Sequence, residues 1–274
     1  DFGIPRAFKF IFYHQAALVW FVVALVSLLL SEFDRNRIYI LFGFVVIALT
    51  LTTKGVCWVA AIMMIVVTLN KRGRPSVFGL LFGGIAVLML ASDSLILYYA
   101  NSTVDTARSA LQQAANKIAL NEFPFGAGFA SFGSAVTAMP EHYSPLYFAY
   151  GLSTIWGLTP GNTQYLSDTF WPVVIGQFGY VGFAVFAAVA FFCFRSVIVR
   201  TRDSGNAKAW LSPRSLLIYL VLGSLAETAF FNPSAVYFAI LIAMQVVATH
   251  PLPLSGREFR SVSDKKDDLI EGIA

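Results

Sequence analysis

Two side chains in the middle of the chain are suited to chemistry on a phosphate ester. Arg108 lies in the run TVDTARSALQQAANKIALNEFPFGAGFASFG, residues 103–133, and Asp168 directly precedes an apolar stretch. A guanidinium group can grip a phosphate through two parallel hydrogen bonds, and a carboxylate can take a proton from an attacking hydroxyl. Two alternatives stay open. Arg108 can be an interfacial arginine paired with Asp105 or lipid phosphate, and Asp168 can cap the helix that follows it.

Three further ionisable residues are candidates for the same chemistry or for structural roles. His142 is the one histidine in residues 93–170, and it is either a second candidate base or a structural histidine. No ligand partner stands at metal-binding spacing from it, so we expect no metal site. Arg6 precedes the first apolar stretch and can equally snorkel to lipid headgroups. Glu227 lies in the apolar run YLVLGSLAETAFFNPS, where a charge is costly unless it faces a cavity or a partner.

The composition indicates a membrane protein. Apolar residues make up 57% of the chain and charged residues 12%, against about 25% charged residues in ordinary soluble domains. The net charge of +4 comes from basic residues in short loops rather than from a basic face interleaved with aromatics, so nucleic acid is not expected as a partner. Cys57 and Cys193 lie in apolar runs at opposite ends of their spans, which excludes a disulfide. The chain starts at Asp1 without a signal-peptide pattern, and we expect it to be part of a longer or processed protein.

The apolar runs that position these residues predict an all-α, polytopic transmembrane bundle. Seven spans are expected, with an error of one, each close to the roughly 20 residues that cross a bilayer. If the spans alternate, fourteen of the 19 Lys and Arg residues fall on one side, which the positive-inside rule makes the cytoplasm. The bundle then occupies residues 1–250, with a large periplasmic loop at 93–170 and a cytoplasmic tail at 251–274. The predicted spans are 15–31, 38–53, 55–70, 76–92, 171–194, 214–231 and 234–248.

The large loop is predicted to contain an amphipathic helix over residues 105–121 on the outer face of the bundle. Ser102 and Asp105 fit a capping box, and apolar residues recur at helical spacing after them. Pro124 and the glycines of FGAGFASFG are expected to end the helix and to let the backbone approach a bulky ligand closely. This glycine-rich turn follows no predicted strand and fits neither a P-loop nor a Rossmann motif.

The order of four motifs resembles one family of membrane enzymes. IPRAF, LTLTTKG, ARSALQQAANKIALNEFPFGAGFASFG and SDTFWPVVIGQFGYVG occur in this order over residues 4–250. They resemble the C-terminal part of the O-antigen ligase and Wzy-type polysaccharide polymerase superfamily of bacterial inner membranes. The resemblance implies a multi-pass glycosyltransferase that moves a glycan from an undecaprenyl diphosphate carrier at the periplasmic face, without a nucleotide sugar or other cofactor.

The resemblance also implies roles for individual residues. Arg6 and Arg108 match recurrent arginines of the family, and Lys54 stands where members often carry an arginine, so all three are implied to bind the diphosphate. Ligases typically carry a histidine at the place of Asp168, which favours a polymerase that adds the glycan to a carrier-linked repeat unit. Asp168 is the first candidate for the general base and His142 the second.

The implied partners are the carrier-linked glycan, membrane lipid, and a chain-length regulator and flippase of the same pathway. One alternative is a ligase that transfers the glycan to lipid A core. Another is a transporter or flippase for lipid-linked sugar, which would carry charges deep within several spans. Within the sequence only Glu227 suggests such a charge.

Overall fold

The computed structural model of the protein describes residues 8–69, 76–96, 106–201 and 208–249, and all regular elements in these ranges are helical. Arg6, Ser102, Asp105 and the predicted tail at 251–274 lie outside them. The predicted all-helical class is confirmed for the described part. The helices are α1 (Gln15–Leu29), α2 (Phe33–Leu49), α3 (Thr53–Val67), α4 (Val77–Leu95), α5 (Ala107–Asn121), α6 (Pro145–Ala149), α7 (Trp171–Arg200), α8 (Leu211–Ser224) and α9 (Pro233–Thr249).

Helices α1 and α2 form an antiparallel hairpin. A short 3-10 turn at Leu30–Glu32 joins them, and the backbone N–H of Phe8, ahead of α1, donates to the carbonyl of Leu49 at the far end of α2. Gly43 lets the two helices approach closely, because a Cβ atom there would lie 2.3 Å from a methyl group of Val26. The predicted loop between the first two spans is therefore largely helical, and the second span begins five residues earlier than expected.

Helices α1, α2, α3, α8 and α9, here called the bundle, share one hydrophobic core. Trp20 packs edge-on against Tyr219 and Phe238, which brings α1, α8 and α9 together. Trp58 is fully buried, and its indole N–H donates to the carbonyl of Ser215 at 2.8 Å. That bond fixes α3 against α8 and leaves no polar atom of this tryptophan unpaired.

Within the described ranges, two helical runs are long and apolar enough to cross a membrane by length and composition, Gln15–Leu49 and Trp171–Arg200. The first is the α1–α2 hairpin. In the second run, residues 180–200 are almost all apolar, yet none of them is buried. This part of α7 therefore does not form the interior of the described structure. Shorter apolar helices lie in the other predicted spans, at Thr53–Val67, Leu81–Ser92, Leu211–Ser224 and Pro233–Ala248.

Helix α5 and residues 122–170, here called the α5 region, have a core of their own. The amphipathic helix is confirmed, since the apolar positions that predicted it, Leu111, Ala114, Ala115 and Ile118, are all buried. Its start differs from the prediction. Thr106 caps the helix and exchanges hydrogen bonds with Ser109 as a capping box, so the helix begins after Thr106 and not at the Ser102–Asp105 motif.

The glycine-rich turn after α5 docks on a break in α7, so the expectation that its backbone approaches a ligand is wrong for Gly126. Helix α7 is interrupted at Gly179, which has φ 65° and ψ −172°. A Cβ atom on Gly126 would lie 2.6 Å from the backbone nitrogen of Gly179. The amides of Ala127 and Gly128 donate to the carbonyls of Gly176 and Gln177 at 3.0 and 2.9 Å. The turn therefore attaches the α5 region to the first part of α7.

Candidate functional site

A cavity of about 340 Å³ lies where the bundle meets the α5 region. Its wall is formed by the starts of α1, α3 and α5, the end of α8 and the residues after it, the residues just before α7, and Ala91 of α4. Among the described residues, four charged side chains line it, two cationic and two anionic, namely Lys54, Arg108, Asp168 and Glu227. Most other lining residues are apolar or carry hydroxyl groups, so the cavity concentrates charge within a largely apolar protein.

Lys54 and Glu227 form an ion pair in the interior, here called the buried pair. The side chains are only 8% and 15% exposed. Lys54 Nζ contacts Glu227 Oε2, while Glu227 Oε1 accepts a hydrogen bond of 3.0 Å from the indole N–H of Trp20. Both carboxylate oxygens thus have a partner, which satisfies a charge that would be costly to leave unpaired in this environment.

Breaks in the helices bring the buried pair together. Helix α2 ends at Leu49, and Leu51 adopts a left-handed conformation with φ 54° before α3 begins. The predicted spans 38–53 and 55–70 meet at Lys54, but the break lies three residues earlier, and Lys54 occupies the first turn of α3. A cation at a helix N-terminus is disfavoured by the helix dipole, and the carboxylate of Glu227 compensates for it.

Glu227 does not lie within a continuous span. Helix α8 ends at Ser224, so the span predicted for 214–231 is wrong in its last seven residues. The amides of Ala226 and Glu227 both donate to the carbonyl of Gly223, at 2.9 and 2.8 Å. This tight turn directs the carboxylate to the cavity.

Arg108 and Asp168 form a second ion pair, here called the rim pair. Arg108 Nε donates to Asp168 Oδ2 at 3.0 Å, and the Nη2 atom contacts the same oxygen. The side chains are 24% and 31% exposed. Asp168 does not cap α7, which begins after Phe170 without a side-chain cap. The helix-capping alternative for Asp168 is therefore wrong, and Arg108 has a carboxylate partner 60 residues away in the chain.

The structure brings three of the five predicted site residues to one cavity, Lys54, Arg108 and Asp168. His142 is not among the residues that line it. That residue ends the 3-10 turn Pro140–His142 and is exposed. Arg6 lies outside the described residues. Within the described ranges no group of three or more His, Cys, Asp or Glu side chains is placed to hold a metal ion.

Two cavity features were missed by sequence reasoning. Trp20 orients Glu227, but a tryptophan in an apolar helix is usually a core residue, and no sequence signal distinguishes the two roles. His14 lines the cavity and caps α1, with its Nδ1 atom accepting a 3.1 Å hydrogen bond from the amide of Ala16. The position of His14 directly before a long apolar run was the available signal for this cap.

The electrostatics of the cavity follow from the two ion pairs. Each cation is matched by one carboxylate, so the four charges balance formally. An anionic ligand would meet both an ammonium and a guanidinium group in one cavity, and it would compete with the carboxylates for them. The guanidinium is the more adaptable of the two, because it carries five N–H donors and can bind two acceptors at once.

Comparisons with protein-family models, curated proteins and solved structures give no match. The likeness to the ligase and polymerase superfamily therefore rests on the sequence motifs alone.

Proposed function

We propose that this protein is a glycosyltransferase of the bacterial inner membrane, a polysaccharide polymerase. It transfers a glycan from an undecaprenyl diphosphate carrier to a lipid-linked repeat unit at the periplasmic face. The observation that carries the proposal is the cavity in which Lys54, Arg108 and Asp168 meet. The two apolar helical runs and the exposed apolar surface of α7 support a membrane location.

The chemistry needs positive charge at the leaving group and a base at the acceptor. The acceptor hydroxyl attacks the anomeric carbon, the bond from that carbon to the phosphate oxygen breaks, and the diphosphate leaves with the bonding electrons. Lys54 and Arg108 stabilise the charge that develops on the diphosphate. A hydrogen bond to a charged group contributes about 1.5–3 kcal/mol. The hydroxyl proton passes to Asp168, and a single inverting displacement needs no covalent intermediate on the protein.

The rim pair supports this division of roles. Arg108 can keep one N–H on Asp168 while the other donors of its guanidinium group bind a phosphate oxygen. The carboxylate then lies next to the leaving group, where an acceptor hydroxyl has to arrive. In this arrangement Arg108 both binds the donor and orients the base.

Substitution of Arg108 by alanine tests the proposal. We expect Arg108→Ala to insert in the membrane normally and to abolish long glycan chains. Arg35→Ala is the matched control, because Arg35 is an exposed arginine in an ion pair with Glu32, far from the lining of the cavity. The readouts are membrane protein level and glycan length distribution. Normal chain length in Arg108→Ala would refute the proposal.

The general base is tested separately. Asp168→Asn keeps the shape and removes the proton acceptor, and we expect it to lose transfer activity while donor binding is retained. His142→Ala should leave transfer unchanged, since His142 is exposed and does not line the cavity. Loss of activity in His142→Ala with full activity in Asp168→Asn would reverse the two assignments.

The acceptor distinguishes a polymerase from a ligase. Purified protein offered both a carrier-linked repeat and lipid A core should extend the repeat. Transfer to lipid A core alone would favour a ligase of the same superfamily.

A second candidate function is transport of lipid-linked sugar across the membrane. The observation that favours it is the buried pair, because charges inside an apolar bundle are typical of transporters. Proteoliposomes that move a labelled lipid-linked sugar to the opposite leaflet without forming glycosidic bonds would support transport. Formation of new glycosidic bonds by the purified protein would exclude it as the main activity.

A further inference from the structure

The glycine-rich turn exposes three phenylalanines that the cavity does not use. Phe123, Phe125 and Phe129 are 68%, 68% and 83% exposed. They belong to residues 123–129, here called the aromatic segment, which reads FPFGAGF. No side chain in this segment can form a hydrogen bond. Glu122 directly precedes the segment and the next charge after it is Glu141, so three exposed aromatic rings lie in a stretch that has no polar side chain of its own, which indicates contact with an apolar partner.

The backbone of the aromatic segment is fixed to the break in α7. Ala127 and Gly128 are bound to carbonyls of α7, as described above. The Gln177 side chain accepts from the amide of Ala130 at 3.0 Å and donates to the carbonyl of Phe132. The ring of Phe129 lies 6.1 Å from that of Phe178, one residue before the break. The exposed phenylalanines are therefore held at the level of Gly179.

The second part of α7 shows where this level lies relative to a membrane. Residues 180–200 extend about 31 Å at 1.5 Å per residue, and the hydrocarbon core of a bilayer is about 30 Å thick. Residues 180–194 contain no charged side chain, and Arg195 and Arg200 follow at the far end. If this part of α7 crosses the bilayer with Gly179 at one surface, Arg200 lies at the other, and Arg195, about 7.5 Å nearer to Gly179 along the helix, reaches the headgroups by snorkelling.

We propose that Phe123, Phe125 and Phe129 form a membrane-interface anchor. The three rings enter the boundary between headgroups and acyl chains on the side of the α5 region, and they hold the turn after α5 and the break in α7 at the bilayer surface. This anchor rests on the proposed membrane location of α7, and it does not depend on the transfer reaction. Aromatic residues concentrate at this depth in membrane proteins.

A lipid surface fits the segment better than a sugar does. Sugars bind to aromatic rings together with side chains that hydrogen-bond to their hydroxyl groups, and residues 123–130 offer none. A lipid interface requires only apolar area and a fixed backbone. The backbone amides of Gly126, Ala127 and Gly128 are already satisfied within the protein, which lowers the cost of burying this turn next to acyl chains.

Spin labels at single cysteines test the depth of the anchor. The background is Cys57→Ala with Cys193→Ser, and a nitroxide is placed at Phe129→Cys in vesicles of phosphatidylcholine and phosphatidylglycerol. We expect collisions with oxygen to exceed those with a water-soluble nickel chelate. The matched control is His142→Cys, an exposed site elsewhere in the α5 region, where the chelate should dominate. The ratio of oxygen to chelate collisions should be several-fold higher at position 129 than at 142.

A label on native Cys193, in the exposed second part of α7, separates this proposal from the membrane location itself. If Cys193 is in lipid while position 129 is as accessible to the chelate as position 142, the anchor is overturned and the membrane location stands. If Cys193 is in water, the membrane location fails and the anchor with it.

A second variant tests whether the phenylalanines set the depth. With the label at position 129, Phe123→Ser with Phe125→Ser should shift the label toward water and lower its oxygen-to-chelate ratio. Phe148→Ser is the control, since Phe148 is also exposed but packs on Tyr143, away from the aromatic segment. An unchanged ratio in the double variant would show that other residues hold the turn at its depth.

Discussion

The two ion pairs of the cavity belong to regions that are stabilised in different ways. The bundle contains Lys54 of the buried pair, and Glu227 lies in the turn directly after its helix α8. It is stabilised by apolar helices packed around residues such as Trp20 and Trp58. The α5 region, which holds the rim pair, depends more on glycines and on hydrogen bonds from side chains to backbone. Tyr147, for example, accepts from the amide of Gly133 at 2.7 Å, and Tyr143 donates to the carbonyl of Leu158 at 2.6 Å.

The difference in burial determines what each pair can do. Removing one partner of a buried pair leaves an uncompensated charge, so such a pair is costly to open. A partly exposed pair contributes little to stability, because water solvates both groups when they separate. The buried pair is therefore suited to hold a fixed cation in the cavity wall. The rim pair is suited to shift part of the hydrogen bonding of Arg108 from the carboxylate to an incoming anion.

The largest effect is expected from breaking the buried pair on one side. Lys54→Met should lower the free energy of unfolding by about 3–5 kcal/mol, because it leaves the carboxyl group of Glu227 buried without its cationic partner. Lys54→Met combined with Glu227→Gln should recover most of this loss. The glutamine removes the second charge and still offers an oxygen to the indole N–H of Trp20. Thermal unfolding in detergent provides the measurement.

The double variant also separates structure from function. If Lys54 binds the donor diphosphate, Lys54→Met with Glu227→Gln regains stability without regaining glycan chain growth. If the pair has only a structural role, both are regained together. A double variant that is no more stable than Lys54→Met contradicts the assignment of these residues as a compensated pair.

A smaller effect is expected from the glycines that join the α5 region to α7. Gly126→Ala and Gly179→Ala place a Cβ atom 2.6 Å from the Gly179 nitrogen and 2.3 Å from the Pro124 oxygen, respectively. Both positions have positive φ, which alone costs a non-glycine residue about 1–3 kcal/mol. We expect each variant to destabilise the α5 region by at least this amount, measured as faster proteolysis of residues 122–170.

Two other glycines separate the steric contribution from the backbone contribution. Gly128 also has positive φ, but a Cβ atom there meets nothing within 4 Å, so Gly128→Ala reports the backbone strain alone. Gly84 lies in α4 with open space around it, and Gly84→Ala should stabilise by roughly 0.5–1 kcal/mol. If Gly126→Ala behaves like Gly128→Ala, the close contact with α7 is not present in solution.

The sequence predicted features that depend on local patterns. Helical spacing of Leu111 and Ile118 predicted the buried face of α5, and the apolar runs predicted the helical class. The pairing of Lys54 with Glu227 was not predictable, because the partners lie 173 residues apart in the chain. The sequence also gives no sign of which way a loop residue such as His142 faces.

The glycine-rich turn shows a different limit of sequence reasoning. Its glycines correctly indicated a close approach of backbone, but the sequence does not name the approaching group. A ligand was expected, and the structure has the backbone of α7 at Gly176 and Gly179. The stretch GQFGYVG, residues 176–182, contains the glycines that face this turn. Glycines in both FGAGFASFG and GQFGYVG were therefore the sequence signal that the two segments pack backbone to backbone.

An intermediate effect at high pH is expected from Tyr143 in the α5 region. Burial, with a further contribution from Tyr147, raises the pKa of Tyr143 to about 12. In the unfolded chain a tyrosine ionises near pH 10. Between these values the unfolded state loses the proton first, so the free energy of unfolding falls as the pH rises from about 10 to about 12. Stability from this group is fully present below pH 10.

Tyr143→Phe removes both the titrating group and the hydrogen bond to Leu158. We expect it to lower the free energy of unfolding at pH 7 by about 0.5–1.5 kcal/mol and to make the decline above pH 10 less steep. Burial also raises the pKa of Tyr147, so part of the decline should remain. Tryptophan fluorescence during thermal unfolding at pH 7, 10 and 12 measures both effects. An unchanged slope above pH 10 would show that Tyr143 is not buried in solution.

The smallest effect on stability is expected from the rim pair, and it is the effect that decides the comparison. A double-mutant cycle over Arg108→Ala and Asp168→Ala should give a coupling of about 0.2–1 kcal/mol, well below the coupling from the cycle over Lys54 and Glu227. The cycle cancels other contacts of Arg108, because they are lost in both of its arms.

Inorganic diphosphate tests whether an anion binds Arg108 in the rim pair. It should raise the melting temperature of the parent protein, and Arg108→Lys, which keeps the charge and loses the planar fork, should reduce that shift. Equal coupling free energies in the two cycles would mean that the rim pair is as hard to separate as the buried pair. An anion could then not bind Arg108 without a large loss of stability.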